Sequence, residues 1–151
     1  MKKGWDFGGV FVVCHILLVC IAKMFIGLLI HSVIFWGGGN IKFDNSSLNV
    51  FQNSGCYFQG FENITIGKNV WIAQNVGIIT ANHDLVNPDL HAEGKPVHIG
   101  DKCWIGMNAV ILPGVVLGEN TIVGAGSVVT KSFEQGHCVV VGNPARVIKT
   151  L

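Results

Sequence analysis

From Ile66 onward an aliphatic residue returns at every sixth position, and that period limits the chain to very few folds. The hexads read IGKNVW, IAQNVG and IITANH from Ile66, Ile72 and Ile78. They resume as IGDKCW, IGMNAV, ILPGVV, LGENTI, VGAGSV and VTKS from Ile99, Ile105, Ile111, Leu117, Val123 and Val129. All nine leading residues are Ile, Leu or Val, which chance delivers with a frequency of order one in ten thousand. Six is not a helical period, and Val-Gly-rich segments are poor helix formers. The pattern instead predicts a short strand and a bend per hexad, three to a triangular coil of 18 residues, with coils stacked about 4.8 Å apart. The leading residues would fill the prism as apolar ladders. The second position is Gly in five hexads, at Gly67, Gly100, Gly106, Gly118 and Gly124, and is expected to permit the bend. The fifth, at Val70, Val76, Cys103, Ala109, Val115, Thr121 and Ser127, is small or β-branched. The frame extends backward through Leu48, Ser54 and Gly60. It breaks between Ile78 and Ile99, 21 residues apart where three hexads need 18, so a loop over 80–98 must leave the coil there. A solenoid of this kind also needs capped ends.

Composition narrows what such a chain can do. Charged residues are 13% of its 151, hydrophobic residues 50%, mean hydropathy is +0.50 and net charge is +1. A solvated disordered chain is excluded, and there is no basic footprint for nucleic acid. Cys14, Cys20, Cys56, Cys103 and Cys138 form no C-x-x-C pair and read as reduced thiols, with no zinc site expected. The apolar excess concentrates in residues 9–36, nearly continuous but divided by Lys23 into pieces shorter than the ~20 residues a span needs. This divides the chain into an apolar, helical segment 1–39 and a β domain 40–151 with a tail 138–151. Four readings fit the segment: a tilted span, a re-entrant hairpin, a helix lying on the membrane face, or a cap over an apolar end of the coils.

Around the frame break sits the first candidate for chemistry. His83 stands at the mouth of the loop, and imidazole is the side chain that exchanges a proton near neutral pH. His91 and His98 lie in the same loop. Spacings of eight and seven do not converge three imidazoles on a metal by local geometry.

Residues 48–149 resemble the hexapeptide-repeat acyltransferases through TANHD (from Thr80), IGDKCWIGM (from Ile99), ILPGV (from Ile111), VGAGSVVTK (from Val123) and VVGNPARVIK (from Val140). Within that family the chain is most similar to the maltose, galactoside, nodulation-factor and polysaccharide O-acetyltransferases. The resemblance implies an all-β fold, a left-handed parallel β-helix, and transfer of acetyl from acetyl-CoA to a hydroxyl. It makes His83, the histidine of T-x-x-H, the general base for direct attack on the thioester. It puts Met107, Ala125, Thr130, Lys131, Arg146 and Lys149 at coenzyme A. Met107 stands where relatives often carry Ser, so its backbone N–H alone could donate. It puts Asn53, and with it Trp104 and Asp84, at the acceptor. Asp84 equally suits a turn after the strand, and Trp104 equally suits packing at a coil edge.

The family's N-terminal acceptor motifs are absent, so the acceptor is not inherited. A saccharide or polysaccharide precursor is expected, with a xenobiotic hydroxyl, or a metal-using carbonic-anhydrase-like or non-catalytic β-helix, as the competing readings. The resemblance also implies a homotrimer. Lys2 and Lys3 with a single span would place the β-helix outside, away from acetyl-CoA. A hairpin or surface helix, with the enzyme in the cytoplasm against the inner membrane face, avoids this.

Overall fold

The computed structural model describes residues 33–151. Most of the apolar run 9–36 therefore lies outside the described residues. Among the described residues no helix is long and apolar enough to cross a membrane.

Among the described residues fourteen short strands follow one another: β1 (Ile34–Trp36), β2 (Ile41–Phe43), β3 (Tyr57–Gln59), β4 (Ile64–Ile66), β5 (Trp71–Ile72), β6 (Gly77–Ile79), β7 (Val97–Ile99), β8 (Trp104–Ile105), β9 (Val110–Ile111), β10 (Val116–Leu117), β11 (Thr121–Val123), β12 (Val128–Val129), β13 (Cys138–Gly142) and β14 (Ala145–Thr150). They deal themselves in rotation onto the three faces of a prism. Sheet A runs β1-β3-β6-β9-β12, sheet B β2-β4-β7-β10, and sheet C β5-β8-β11-β13-β14. Every pairing is parallel except β13 with β14.

The register is the hexad frame made visible. Ile66 pairs with Ile99 and Ile99 with Leu117; Ile72 pairs with Ile105 and Ile105 with Val123; Ile78 pairs with Ile111 and Ile111 with Val129. All nine leading residues are at most 2% exposed, and the seven fifth-position residues are buried with them. Thr121 and Ser127, the polar members, are satisfied: Thr121 Oγ1 donates to Gly118 O, and Ser127 Oγ accepts from Gly142 N.

The bends work differently from the expectation. The second-position glycines do not take the left-handed conformation. They are small because successive coils touch there. A Cβ on Gly106 would lie 2.6 Å from Ala125 N, and one on Gly100 2.8 Å from Leu117 O. The turn itself is made at the fourth position. Asn69, Asn75, Lys102, Asn108, Gly114, Asn120 and Gly126 all have φ between 53° and 80°, the region open to Gly and, less readily, Asn.

Behind Ile64 the backward frame fails. The residues aligned with Ile66 and Ile78 are Phe43 and Phe58, not Leu48 and Gly60. The N-terminal coil is closed by an aromatic cluster. Phe35 stacks on Phe58 at 5.5 Å, and Phe51 tilts against both. A 3₁₀ segment, Asn45–Phe51, takes the place of a sheet C strand, its start capped by Asp44 Oδ1 accepting from Ser46 N. Large rings need a wider coil than hexads give, so the period lapses. The ladder reaches back to Ile34, ahead of the boundary at residue 40. At the other end, the β13–β14 hairpin closes sheet C, turning at Asn143–Pro144, whose peptide bond is cis.

Candidate functional site

Ile78 and Ile99 lead consecutive strands, β6 and β7, where one hexad needs six residues, so the gap of 21 is not a whole coil plus three: 15 residues (21 − 6) are extra and form a finger over residues 80–96, with Val97 and His98 back in β7. Its base is pinned to the previous coil. Buried Thr80 donates Oγ1 to Gln59 O at 2.6 Å and accepts from Glu62 N, and Ala81 N donates to Gln59 Oε1. Lys95 N closes the base on Thr80 O at 2.7 Å. The arms pair through Ala92 N to Asn82 O and Asp84 N to Leu90 O, with His83 and His91 facing each other as an antiparallel bridge. Asp84 builds the tip: its Oδ1 accepts from Val86 N at 2.8 Å and Asn87 N at 2.9 Å. Those two backbone bonds hold its carboxyl below the usual carboxylate range.

His83 is held by edge and face. Its Nδ1 lies 2.6 Å from Pro88 O. A carbonyl can only accept, so Nδ1 carries the proton and Nε2 is left as the basic nitrogen. The ring packs on His91 at 4.6 Å between centroids, and His91 in turn meets Phe61 edge-on at 5.6 Å. His98 is elsewhere, on the outward face of β7 between Thr65 and Val116. Among the described residues no group of three His, Cys, Asp or Glu is disposed to hold a metal ion.

A second assembly lies where sheet C turns into sheet A. Trp71 and Trp104 share one register position on consecutive strands and stand 63% and 53% exposed. Beside them is an open cleft of about 390 Å³, floored by Ile72 and Ala73 and walled by Asn53, Gln74 and Met107. Asn53 donates Nδ2 to Ile72 O at 2.5 Å, which fixes its amide at the rim. Three residues singled out from the sequence, Asn53, Trp104 and Met107, thus come together. Trp71 and Gln74 were not anticipated. The signal for Trp71 was present: like Trp104, it immediately precedes a leading isoleucine, and residues on either side of a buried strand position face out.

One rung further on, Gly126 N donates to Met107 O at 2.8 Å, which sets the exposed Ala125 beside Met107. The hairpin is tied to the same corner by Gly142 N donating to Ser127 Oγ. It carries Arg146, opposite Val141, and Lys149, opposite Val139. Thr130 and Lys131 follow β12 at the next corner, with Lys131 Nζ 5.8 Å above the Phe133 ring. That is the corner from which the finger springs. On one chain the candidates therefore form two groups separated by sheet A: His83, Asp84, Thr130 and Lys131 on one corner, and Asn53, Trp104, Met107, Ala125 and the hairpin cations on the other.

Cys56, Cys103 and Cys138 are buried free thiols. Burial raises the first and pushes Cys103 up to about 11, so neither presents a thiolate at neutral pH.

The bacterial transferase hexapeptide (six repeats) family matches residues 96–131. A Schizosaccharomyces pombe protein whose acetyltransferase name is itself provisional is 39% identical over 120 residues, 76% of this chain and 55% of that one. The chain spans about half the length of the curated relatives it matches. Among solved structures, a maltose O-acetyltransferase from Clostridium difficile is 39% identical, with a TM-score of 0.67 over 80% of this chain and 64% of that one. A galactoside acetyltransferase in complex with coenzyme A is 32% identical, with a TM-score of 0.70 over 81% and 61%. Repeat, register and relatives agree: the chain belongs to the hexapeptide-repeat family, whose fold is the left-handed parallel β-helix.

Proposed function

We propose that this protein is an acetyl-CoA-dependent O-acetyltransferase acting on a saccharide hydroxyl, with His83 as the general base. The observation that carries the reading is the lock of Nδ1 on Pro88 O, which leaves Nε2 as an acceptor on a ring immobilised by His91. In the reaction, Nε2 takes the acceptor's hydroxyl proton as the oxygen attacks the thioester carbonyl. The C–S bond breaks, the ester forms, and the imidazolium returns its proton to the departing thiolate. Direct transfer suits a site whose Cys56 and Cys103 thiols are buried and protonated.

The corner bearing Met107 and Ala125 suits the pantetheine arm. Gly126 leaves open space beside its backbone, and amide groups can be approached there. Arg146 and Lys149, exposed at the end of the same sheet, suit the nucleotide phosphates, with Thr130 and Lys131 serving the thioester's path from a neighbouring copy. Asn53 and Trp104 serve the acceptor. Asp84 acts through the finger turn it builds.

Because the two groups occupy different corners of one chain, the complete site forms where the finger of one copy meets the cleft of the next, in a homotrimer. The enzyme works beside the acetyl-CoA pool of the cytoplasm, with the apolar run at a membrane surface. Failure of the full chain to partition into vesicles would remove that last element.

The decisive experiment is release of free thiol from acetyl-CoA with a panel of saccharide acceptors, in wild type and His83→Ala. The variant should lose roughly 10²–10⁴ in kcat with little change in KM for acetyl-CoA. A His83→Ala enzyme with near wild-type kcat would overturn the mechanism.

A further inference from the structure

The finger gives its histidine little to lean on. From Asn82 to Glu93 every side chain except that of Asp84 is exposed, and an element with so few buried contacts opens readily. One hydrogen bond does not stop an imidazole from turning, because the torsion that swings the ring is broad. We propose that Phe61, on the coil before the finger, is a positioning residue for His83 and acts on it through His91. That His83 is the base rests on the transferase reading above; the ring stack itself does not.

The stack starts on rigid backbone. Phe61 follows β3 at the corner between sheets A and B, where Gly60 N donates to Trp36 O at 2.7 Å. Asn40 Nδ2 donates to Gly60 O at 2.8 Å and to Phe61 O at 3.2 Å. On the other side of Phe61, Glu62 N donates to Thr80 Oγ1 at 3.0 Å. A Cβ on Gly60 would lie 2.8 Å from Gly37 O, so backbone touches backbone there and the corner has no slack.

From that corner the Phe61 ring meets His91 edge-on, with centroids 5.6 Å apart and planes at 69°. His91 stands opposite His83 across the paired arms, and the two rings lie 4.6 Å apart at 31°. Both separations fall in the range of favourable ring pairs. Pro88 O meets the edge of His83 and His91 meets its face. An edge contact and a face contact together define the plane of the ring, and with it the direction of Nε2. General-base catalysis needs that direction, since small misplacements of a reacting group slow the chemical step. The bonds at Thr80 and Lys95 hold only the base of the finger. Phe61 carries the rigidity of the coil to the imidazole.

The test combines kinetics on the full chain with nitrogen NMR of histidine-labelled protein. The His83 signals are identified by their loss in His83→Ala, and in wild type they should show the proton fixed on Nδ1. Phe61→Leu keeps apolar bulk and removes the ring. It should lower kcat with the best acceptor of the saccharide panel by about tenfold. KM for acetyl-CoA should change by less than about twofold, and the His83 proton should become shared between the two nitrogens. Phe61→Tyr keeps the ring and should stay near wild type in every readout. His91→Ala should match Phe61→Leu, and His91→Phe should recover most of the loss. The double variant Phe61→Leu with His91→Ala should be no slower than His91→Ala alone, because both act through one stack.

An unchanged His83 tautomer in both Phe61→Leu and His91→Ala overturns the proposal, whatever the kinetics show. So does a His91→Phe enzyme as slow as His91→Ala, which would give His91 a proton of its own to move. Losses that add in full in the double variant also overturn it. If no acceptor is acetylated at all, the transferase reading falls and the tautomer comparison still decides the stack. If the tautomer stays fixed in every variant while His83→Ala alone is inactive, the stack falls and the base stands.

Discussion

Lys102 is the one fourth-position residue of the regular hexads that is neither Asn nor Gly, yet it holds φ at 55°. A left-handed conformation crowds the Cβ of a lysine against its own carbonyl, while Asn tolerates it. Its side chain contributes little in return. The 2.7 Å pair with Glu119 is exposed on both sides, and exposed pairs are nearly neutral in net stability. Lys102→Asn should therefore raise the melting midpoint by about 1–4 °C, read by calorimetry. Cys103, one residue on, sets an alkaline limit. Its thiol is pushed from 9.0 up to about 11 in the fold by burial. Above pH 9 the unfolded thiol releases its proton while the folded one keeps it, so unfolding gains and stability falls between about pH 9 and 11. The loss is at most roughly 2–3 kcal/mol. Cys103→Ala should flatten that limb in urea titrations taken across pH 8–11, whatever it costs at pH 7.

Among the elements, the coil corners divide two tasks that the sequence shows only as a glycine excess. Gly106 is needed for approach. A methyl there meets Ala125 N at 2.6 Å, which is backbone and cannot step aside. Gly39 has ordinary φ and nothing within 4 Å of an added Cβ. Gly106→Ala should cost about 1–3 kcal/mol by overpacking, whereas Gly39→Ala should be neutral or slightly stabilising through the unfolded chain. Denaturant midpoints of the two variants compare them directly, and equal losses would show that corner approach is not what selects glycine. The finger is an element of another kind. Apart from Thr80 and Ala81 at its base, its large and small side chains face solvent, with Leu85 and Val86 almost fully exposed. Its shape comes from the Asp84 turn and the paired arms. Asp84 is a depressed carboxylate, so its contribution is complete above the ordinary carboxylate range and lost only as pH falls below it.

At the scale of the whole molecule, the separation of His83 from the cleft and hairpin by a complete sheet makes assembly a functional question. If each site borrows its base from a neighbour, His83→Ala and Arg146→Ala chains should complement. Unfolded together and refolded as mixed trimers, about a quarter of the sites would receive both intact residues. Activity at low acetyl-CoA should then exceed that of either variant alone, and its absence in verified mixed trimers would place the site within one chain. Much of this molecule was legible beforehand. The leading aliphatics, the buried fifth positions and the loop at the frame break all follow from a strict period. Asn53, Trp104 and Met107 meet in one cleft, although the motifs assigned Met107 to coenzyme A and the other two to the acceptor. Trp71 was overlooked because a tryptophan before an isoleucine looks like core, and only the alternation about Ile72 turns it outward.

What the sequence by itself determined is the repeating part, because a ladder repeats the same local decision at every coil: aliphatic inside, left-handed Asn or Gly at the corner, small residue at the contact. Tertiary structure decided everything that happens once. The aromatic plug of Phe35, Phe51 and Phe58 widens the first coil and ends the hexad frame, since its ring packing joins residues that no six-residue period relates. The tautomer of His83 depends on a carbonyl five residues away, brought back by the finger turn. Which residues share a corner depends on how three sheets rotate about one axis, and no local pattern encodes that rotation.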